Sequence, residues 1–232
     1  GVRLVGSEMC IRDSLRLSGD PKREPLNGVP DLVHMAAGVT GFIGALAALM
    51  TRARTGRGQL VETSHQEVIA ALHQFSLLRY THTGSILNRM GNRYSGPGTP
   101  IGAYECADGW IGLAISQSDQ MERLLEVTGL ITLLDHEEVE TIYDVMTNQE
   151  LLDSHLIPYL KTQPRDDLVD LFQALRLPVA PISDIDDLLQ DPHFEERDFW
   201  NETTDGVKSP GPPFRLSHHK WELGPKKRSG VF

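Results

Sequence analysis

The chain has 232 residues, of which 40% are hydrophobic and 23% are charged, a composition typical of a soluble globular protein that can bury a core. Its formal net charge of −10 argues against a general nucleic-acid or anionic-membrane binder, because both need a basic surface to attract phosphate. Its two cysteines, Cys10 and Cys106, form no CxxC motif, which predicts a reducing, cytoplasmic compartment and no structural disulfide.

The first long apolar segment runs from Val33 to Met50 and contains one ionisable side chain, His34. Its length is borderline for a membrane span, but much of it is Gly and Ala, so a soluble helix is favoured. Bulky residues at helical spacing form one stripe and small residues form another, which predicts a helix buried on more than one side. Gly56 predicts the helix end. The arginines around it are interpreted as dipole partners, with phosphate binding as the alternative.

The following residues predict a short strand and a second helix. Residues 59–64, QLVETS, alternate as a strand does, and residues 67–84 carry apolar residues at helical spacing. His65, His73 and His82 lack the i, i+4 pairing that a metal site favours. We interpret them as surface or core histidines and predict no metal site.

A stretch rich in Gly and Pro, residues 88–100, is either a linker or a shaped loop beside a ligand. Residues 101–116 then predict a β-hairpin around the turn Ala107-Asp108-Gly109.

The remainder of the chain is mostly helical in pattern. Residues 118–129 and 134–177 predict helices, and residues 178–183 predict a short extended segment. Ser183 and Asp186 have capping-box spacing at the start of one more helix, and a turn-rich tail with weak strand character follows.

No GxSxG, P-loop or HExxH motif is present. The residues alone therefore predict an α/β domain of undefined activity. A helical interaction module, whose Gly/Ala-rich helix packs against a partner, stays open as an alternative.

Four stretches in the chain resemble the class III CoA-transferase family of the CaiB/BaiF type, which includes formyl-CoA transferase, carnitine CoA-transferase and 2-methylacyl-CoA racemase. The block RTGRGQ after the alanine-rich helix is the most specific of the matching residues. In chain order, the stretches are AAGVTGFIGALAALMTRARTGRGQLVETSHQEV, RMGNRYSGPGTPIGAYECADGWIGLAI, LPVAPISDIDDLLQDPHFEERDFW and PGPPFRLS.

The resemblance implies an α/β fold with part of a Rossmann-like large domain and a smaller α+β domain. Residues 15–95 would belong to the large domain, residues 96–190 would form the small domain, and residues 191–232 would return to the large domain. Residues 1–14 match nothing in the family, and we interpret them as a non-native tail. Family members are usually longer, so the chain is interpreted as a C-terminal fragment.

The resemblance also implies a catalytic position. In the transferases an aspartate stands just before the Ala/Gly-rich helix, four residues ahead of a glycine. In this chain His34 stands at that position, four residues ahead of Gly38. The aspartate attacks the thioester to give a mixed anhydride, and CoA thiolate then forms an enzyme-bound thioester that the acceptor acid resolves. A histidine could act as a base or nucleophile, but an acyl-imidazole is readily hydrolysed. Asp31, three residues upstream, could replace the missing carboxylate if the loop before the helix is shifted.

A loop around Arg89, Asn92, Gly96 and Gly98 is expected to contact CoA and substrate, because it resembles the family's glycine-rich loop. The implied activity is transfer of CoA from an acyl-CoA donor to a carboxylic acid. CoA thioester would be a substrate, and no cofactor would be bound permanently.

The implied partners are acyl-CoA and a carboxylic acid, without nucleic acid or membrane, and the full-length protein would form an interlocked homodimer. Because His34 replaces the aspartate, the alternatives are an acyl-CoA-binding relative that does not transfer and a racemase-like protein. A fragment would leave the helix around Gly41 without its sheet, so we expect poor solubility when it is expressed alone.

Overall fold

A computed structural model describes residues 17–26, 31–94, 100–202 and 206–218. The chain forms two compact units, the first ending at Pro181 and the second beginning at Ile182. The predicted domain limits after residues 95 and 190 stay predictions, because these two compact units do not define the domains of the family. The predicted non-native tail, residues 1–14, lies outside the described residues.

The first long helix, α1, spans Leu32–Thr55. It ends as predicted at Gly56, which has a φ of 72° and donates its backbone N–H to the Arg52 carbonyl at 2.8 Å. Arg52 and Arg54 lie in its last turn, where cations interact favourably with the helix dipole.

The prediction that α1 is buried on more than one side is wrong for the described chain. Ala37 is the buried residue of the helix, whereas Phe42 is 64% exposed. The physical reason is the lack of a covering sheet, because no strand forms between residues 31 and 92 of the described chain. Large apolar side chains exposed along α1 are Leu32, Met35, Val39, Phe42, Ile43, Leu46, Leu49 and Met50.

By length and composition, α1 is the one helix among the described residues that could cross a membrane. One such helix is weak evidence, because core helices of soluble proteins satisfy the same criteria.

The predicted strand at residues 59–64 is extended but pairs with no strand of the described chain, so this prediction is wrong. Instead, the segment lies along the small residues of α1. A Cβ built on Gly41 would lie 3.4 Å from Thr63 Oγ1, and one on Gly44 would lie 2.8 Å from Val61 Cγ1. The glycines of α1 thus permit close approach of the returning chain.

The helix predicted over residues 67–84 is two helices. α2 spans His65–Leu72, with the Ser64 hydroxyl accepting the Glu67 N–H, and α3 spans Gln74–Thr83. His73 separates them, and the returning chain packs α2 against α1.

The predicted hairpin is confirmed. Strands β1, Ile101–Glu105, and β2, Trp110–Ala114, pair antiparallel, and the Cys106 N–H donates to the Gly109 carbonyl at 2.8 Å across the turn. The extended segment predicted after residue 177 supplies β3, Val179–Pro181, which pairs antiparallel with β2.

Helices cover this three-stranded sheet, in the region where the sequence predicts helices. They are α4 Ser118–Val127, a 3₁₀ helix at Ile131–Asp135, α5 Ile142–Thr147, α6 Gln149–Leu160 and α7 Arg165–Ala174. α6 packs against β1, and α7 packs against β2 and β3. The fully buried side chains between them include Tyr104, Ile111, Met121, Leu156 and Phe172, which form the main core of the described chain.

The second unit contains α8 Ile185–Gln190, α9 Pro192–Glu196, β4 Trp200–Glu202 and β5 Lys208–Pro210, the two strands pairing antiparallel. Its capping box is one residue later than predicted from Ser183 and Asp186. Asp184 accepts the Asp187 N–H at 2.9 Å, and Asp187 accepts the Asp184 N–H at 3.3 Å. The capping-box spacing fits Asp184 and Asp187 as well as Ser183 and Asp186. The Asp184 carboxylate is the stronger acceptor, because it is charged and the Ser183 hydroxyl is not.

Candidate functional site

The N-terminus of α1 carries the predicted Asp31 and His34. Asp31 has a φ of 62°, a left-handed conformation that is uncommon outside glycine, and its carbonyl accepts the Met35 N–H at 2.8 Å. Within the described chain, the Asp31 carboxylate makes no capping hydrogen bond to the helix. Its oxygens therefore remain available for another interaction.

The structure brings Asp31 and His34 together. Asp31 Oδ1 lies 3.6 Å from His34 Nδ1, which is an ion-pair distance slightly longer than a hydrogen bond. The two side chains are 72% and 55% exposed, respectively. A carboxylate next to an imidazole nitrogen is the arrangement by which many enzymes orient a general base.

A second histidine, His65, joins this pair. The His34 and His65 ring centroids are 5.3 Å apart with an interplanar angle of 70°, an edge-to-face contact. This contact was not predicted from the sequence, because the two residues are far apart in the chain. The sequence feature that bears on this contact is Gly56, where α1 ends and the chain reverses. Residues 57–64 then return along α1, so that α2 begins beside the start of α1.

The predicted loop residues are not joined to this site. The Arg89 guanidinium donates to the Arg23 carbonyl at 3.3 Å, and the Asn92 carbonyl accepts the Ala103 N–H at 2.9 Å. Neither residue has a hydrogen bond or ion pair with His34 in the part of the chain that the structure describes. Gly96 and Gly98 lie outside the described residues.

Arg93, which was not among the predicted site residues, is the centre of a largely buried polar network. Its Nε donates to Asp153 Oδ2 at 3.0 Å, and its Cζ lies 3.7 Å from the centroid of the Tyr104 ring. The Tyr104 hydroxyl donates to Asp153 Oδ1 at 3.0 Å. The network therefore ties residue 93 to β1 and α6.

The same region contains a tight backbone approach. Arg93 forms an isolated antiparallel bridge with Gly102, and the Tyr94 N–H donates to the Ile101 carbonyl at 2.9 Å. Gly102 has a φ of +151°, and a Cβ built on it would overlap the Asn92 carbonyl oxygen. Residues 94 and 101 are therefore held together at the base of the glycine-rich stretch.

A cleft of about 1190 Å³ lies within the second unit. Its lining includes Phe194, Phe199, Trp200, Pro213 and Phe214, and none of the predicted site residues. Among the described residues, no group of three or more His, Cys, Asp or Glu side chains is arranged to hold a metal ion.

Residues 14–227 match the family model of CoA-transferase family III. The chain belongs to this family, as the resemblance of the four sequence stretches predicted. The mixed helix and strand architecture agrees with the predicted α/β fold class.

Two curated relatives illustrate the range of named activities in the family. The succinyl-CoA:mesaconate CoA-transferase of Haloarcula hispanica is 26% identical over 188 residues, covering 79% of this chain and 46% of the relative. The acetyl-CoA:oxalate CoA-transferase of Acetobacter aceti is 26% identical over 215 residues, covering 92% of this chain and 54% of the relative. The chain thus spans about half the length of the curated relatives that it matches.

A solved structure supports the fold. The crystal structure of a CaiB/BaiF family protein from Brucella suis superimposes with a TM-score of 0.73 at 26% sequence identity. The match covers 90% of this chain and 55% of the Brucella chain. The helices and strands described above therefore have the arrangement of a family III CoA-transferase.

Proposed function

We propose that the full protein is a CoA-transferase that moves CoA from an acyl-CoA to a carboxylic acid. Membership of CoA-transferase family III supports the reaction class. The observation that carries the assignment to a site is the distance of 3.6 Å between the Asp31 carboxylate and His34, the position at which the family resemblance predicts the catalytic carboxylate.

In this proposal Asp31 is the nucleophile. A carboxylate oxygen attacks the thioester carbonyl carbon, the C–S bond breaks, and CoA leaves as the thiolate. The thiolate then attacks the Asp31 carbonyl of the mixed anhydride and releases the first carboxylic acid. The acceptor carboxylate then attacks the Asp31 thioester carbonyl and displaces CoA thiolate, which leaves a second mixed anhydride. The thiolate attacks the acceptor carbonyl of that anhydride, so that the new acyl-CoA forms and the Asp31 carboxylate is released. The reaction needs no redox cofactor.

The left-handed backbone of Asp31 supports this role. Residues held in sparsely populated conformations are frequent at functional sites, where the surrounding fold compensates for the strain. Asp31 has this conformation at the N-terminus of α1.

The proposal extends to the environment of the protein. We infer that it acts in the cytoplasm, as a homodimer, on soluble CoA thioesters and without a membrane or nucleic-acid partner. The net charge of −10 supports the absence of a nucleic-acid or anionic-membrane partner, and the cysteine pattern supports the cytoplasm. Membership of CoA-transferase family III is the basis for the homodimer.

A transfer assay tests the proposal. The full protein is incubated with succinyl-CoA or acetyl-CoA and with mesaconate or oxalate, the substrates in the names of the two relatives. Mass spectrometry then detects the new CoA thioester. We expect transfer to one of these or to a related acid, and we expect Asp31→Asn to reduce it by about 10³-fold or more, because the amide is not a nucleophile.

Glu62→Gln is the matched control, since Glu62 is an exposed carboxylate on the segment that returns along α1. It should transfer at the wild-type rate. Transfer that is unchanged in Asp31→Asn would refute the assignment of the nucleophile. A protein that binds acyl-CoA but transfers to no acid would instead be a non-transferring relative.

A further inference from the structure

We propose that the pair Asp31 and His34 also hydrolyses acyl-CoA when no acceptor acid is bound, with His34 as the general base and water as the acceptor. This inference rests on the proposed function, because it uses the acyl-CoA bound at the same site. It assigns a thioesterase activity to the residue that replaces the expected carboxylate.

The geometry of the pair favours proton transfer through His34. Asp31 Oδ1 lies 3.6 Å from Nδ1, so the carboxylate can hold the tautomer with a proton on Nδ1 and leave Nε2 to accept one. Distances between catalytic groups are often slightly long without substrate and shorten when it binds. Asp31 would thus orient the base in this reaction, as a carboxylate does for many catalytic histidines.

The proposed step balances without an oxidant or reductant. His34 Nε2 takes a proton from water as the water oxygen bonds to the thioester carbonyl carbon. The C–S bond then breaks, and the proton on His34 passes to the departing sulfur. The products are a carboxylic acid, which ionises in water, and free CoA thiol.

The residue type at position 34 distinguishes this site from one suited only to transfer. A transferase must protect its anhydride from water. A histidine beside the Asp31 carboxylate is instead a base that can activate water close to any acyl group held there. This feature directs part of the bound thioester towards hydrolysis.

His65 is a positioning residue in this proposal. Its ring meets the His34 ring edge to face at 5.3 Å, which limits rotation of the imidazole. We expect His65→Ala to lower kcat for hydrolysis several-fold with little change in KM. His65→Phe, which preserves an aromatic ring at this contact, should restore most of the rate.

The test measures release of free CoA thiol from acetyl-CoA or succinyl-CoA by the full protein without an acceptor acid. We expect wild-type protein to release thiol and His34→Ala to lose about 10²-fold or more of that rate. His34→Asp should lose hydrolysis but retain transfer, so that the ratio of transfer to hydrolysis rises at least about tenfold. His82→Ala, an exposed histidine on α3, is the control.

The outcomes separate the two proposals. Transfer without thiol release, or thiol release that is equal in His34→Ala and the wild type, would overturn the hydrolysis proposal alone. Thiol release without transfer would overturn the transferase proposal alone. Absence of both activities in a folded protein that retains its circular dichroism would overturn both.

Discussion

Gly102 occupies a position that only glycine satisfies. Its φ of +151° disfavours other residues, and an added Cβ would overlap the Asn92 carbonyl oxygen. We expect Gly102→Ala to lower the free energy of unfolding by about 1–3 kcal/mol or more, measured by urea unfolding of the full protein.

Gly112 provides the control, because it lies on the neighbouring strand β2 and an added Cβ would be 3.9 Å from the Ala180 carbonyl oxygen, an ordinary contact. Equal free energies of unfolding for Gly102→Ala and Gly112→Ala would contradict the prediction that only Gly102 requires glycine.

Cys106 illustrates how burial controls reactivity. Desolvation is the main cause that raises the pKa of this thiol above its ordinary value, and the nearby Asp108 carboxylate raises it further. At neutral pH the group is therefore a thiol rather than a thiolate. We expect iodoacetamide to modify Cys106 slowly in the native protein and rapidly after unfolding, as measured on the Cys106 peptide. Equal rates in both states would show that the thiol is not protected.

At the residue scale, the family resemblance predicted Asp31 and His34 as site residues but did not predict the contact with His65. Both stay predictions, and both were selected by their position relative to the Ala/Gly-rich helix, which is a local feature. The contact with His65 depends on how the chain folds back along Gly41 and Gly44, and no local pattern contains that information.

Among the elements, the link between the glycine-rich stretch and the small sheet depends on Asp153. This carboxylate accepts from both Arg93 and Tyr104, and its side chain is 17% exposed. Asp153→Ala would leave a largely buried guanidinium without its carboxylate partner, although Arg93 would still donate to the Ala103 carbonyl. We therefore expect a loss of about 1–3 kcal/mol in the free energy of unfolding.

An exposed ion pair that includes Glu105 of β1, the strand that carries Tyr104, is the control for the Asp153 variant. Lys161 Nζ lies 2.7 Å from Glu105 Oε2, with both side chains about half exposed. Glu105→Ala should change the free energy of unfolding by about 1 kcal/mol or less, because solvent screens exposed pairs. If Glu105→Ala destabilised the protein as much as Asp153→Ala, the Arg93 network would not have the role proposed for it.

Elements with a local signal were predicted well. The turn Ala107-Asp108-Gly109 produced the hairpin, and Gly56 ended α1. The strand at residues 59–64 was wrong because a strand is defined by its partner, which the described residues do not supply. The division at His73 was also not predicted, since apolar spacing continues across it.

For the whole molecule, the main feature is the row of large apolar side chains that α1 exposes. Met35, Phe42, Ile43 and Met50 are each at least 60% exposed. Contiguous apolar surface of this kind promotes association. We expect this chain expressed alone to aggregate or to elute as large species in size-exclusion chromatography. A monomeric product that melts cooperatively would contradict this prediction.

The most direct test of the central claim is intact-mass spectrometry of the full protein after incubation with an acyl-CoA and quenching with hydroxylamine. Hydroxylamine converts an enzyme-bound thioester at Asp31 to a hydroxamate. We predict a modification that maps to the peptide containing Asp31, depends on acyl-CoA and is absent in Asp31→Asn. An unmodified protein that transfers CoA, or a modification mapped to another residue, would contradict the assignment of Asp31 as the nucleophile.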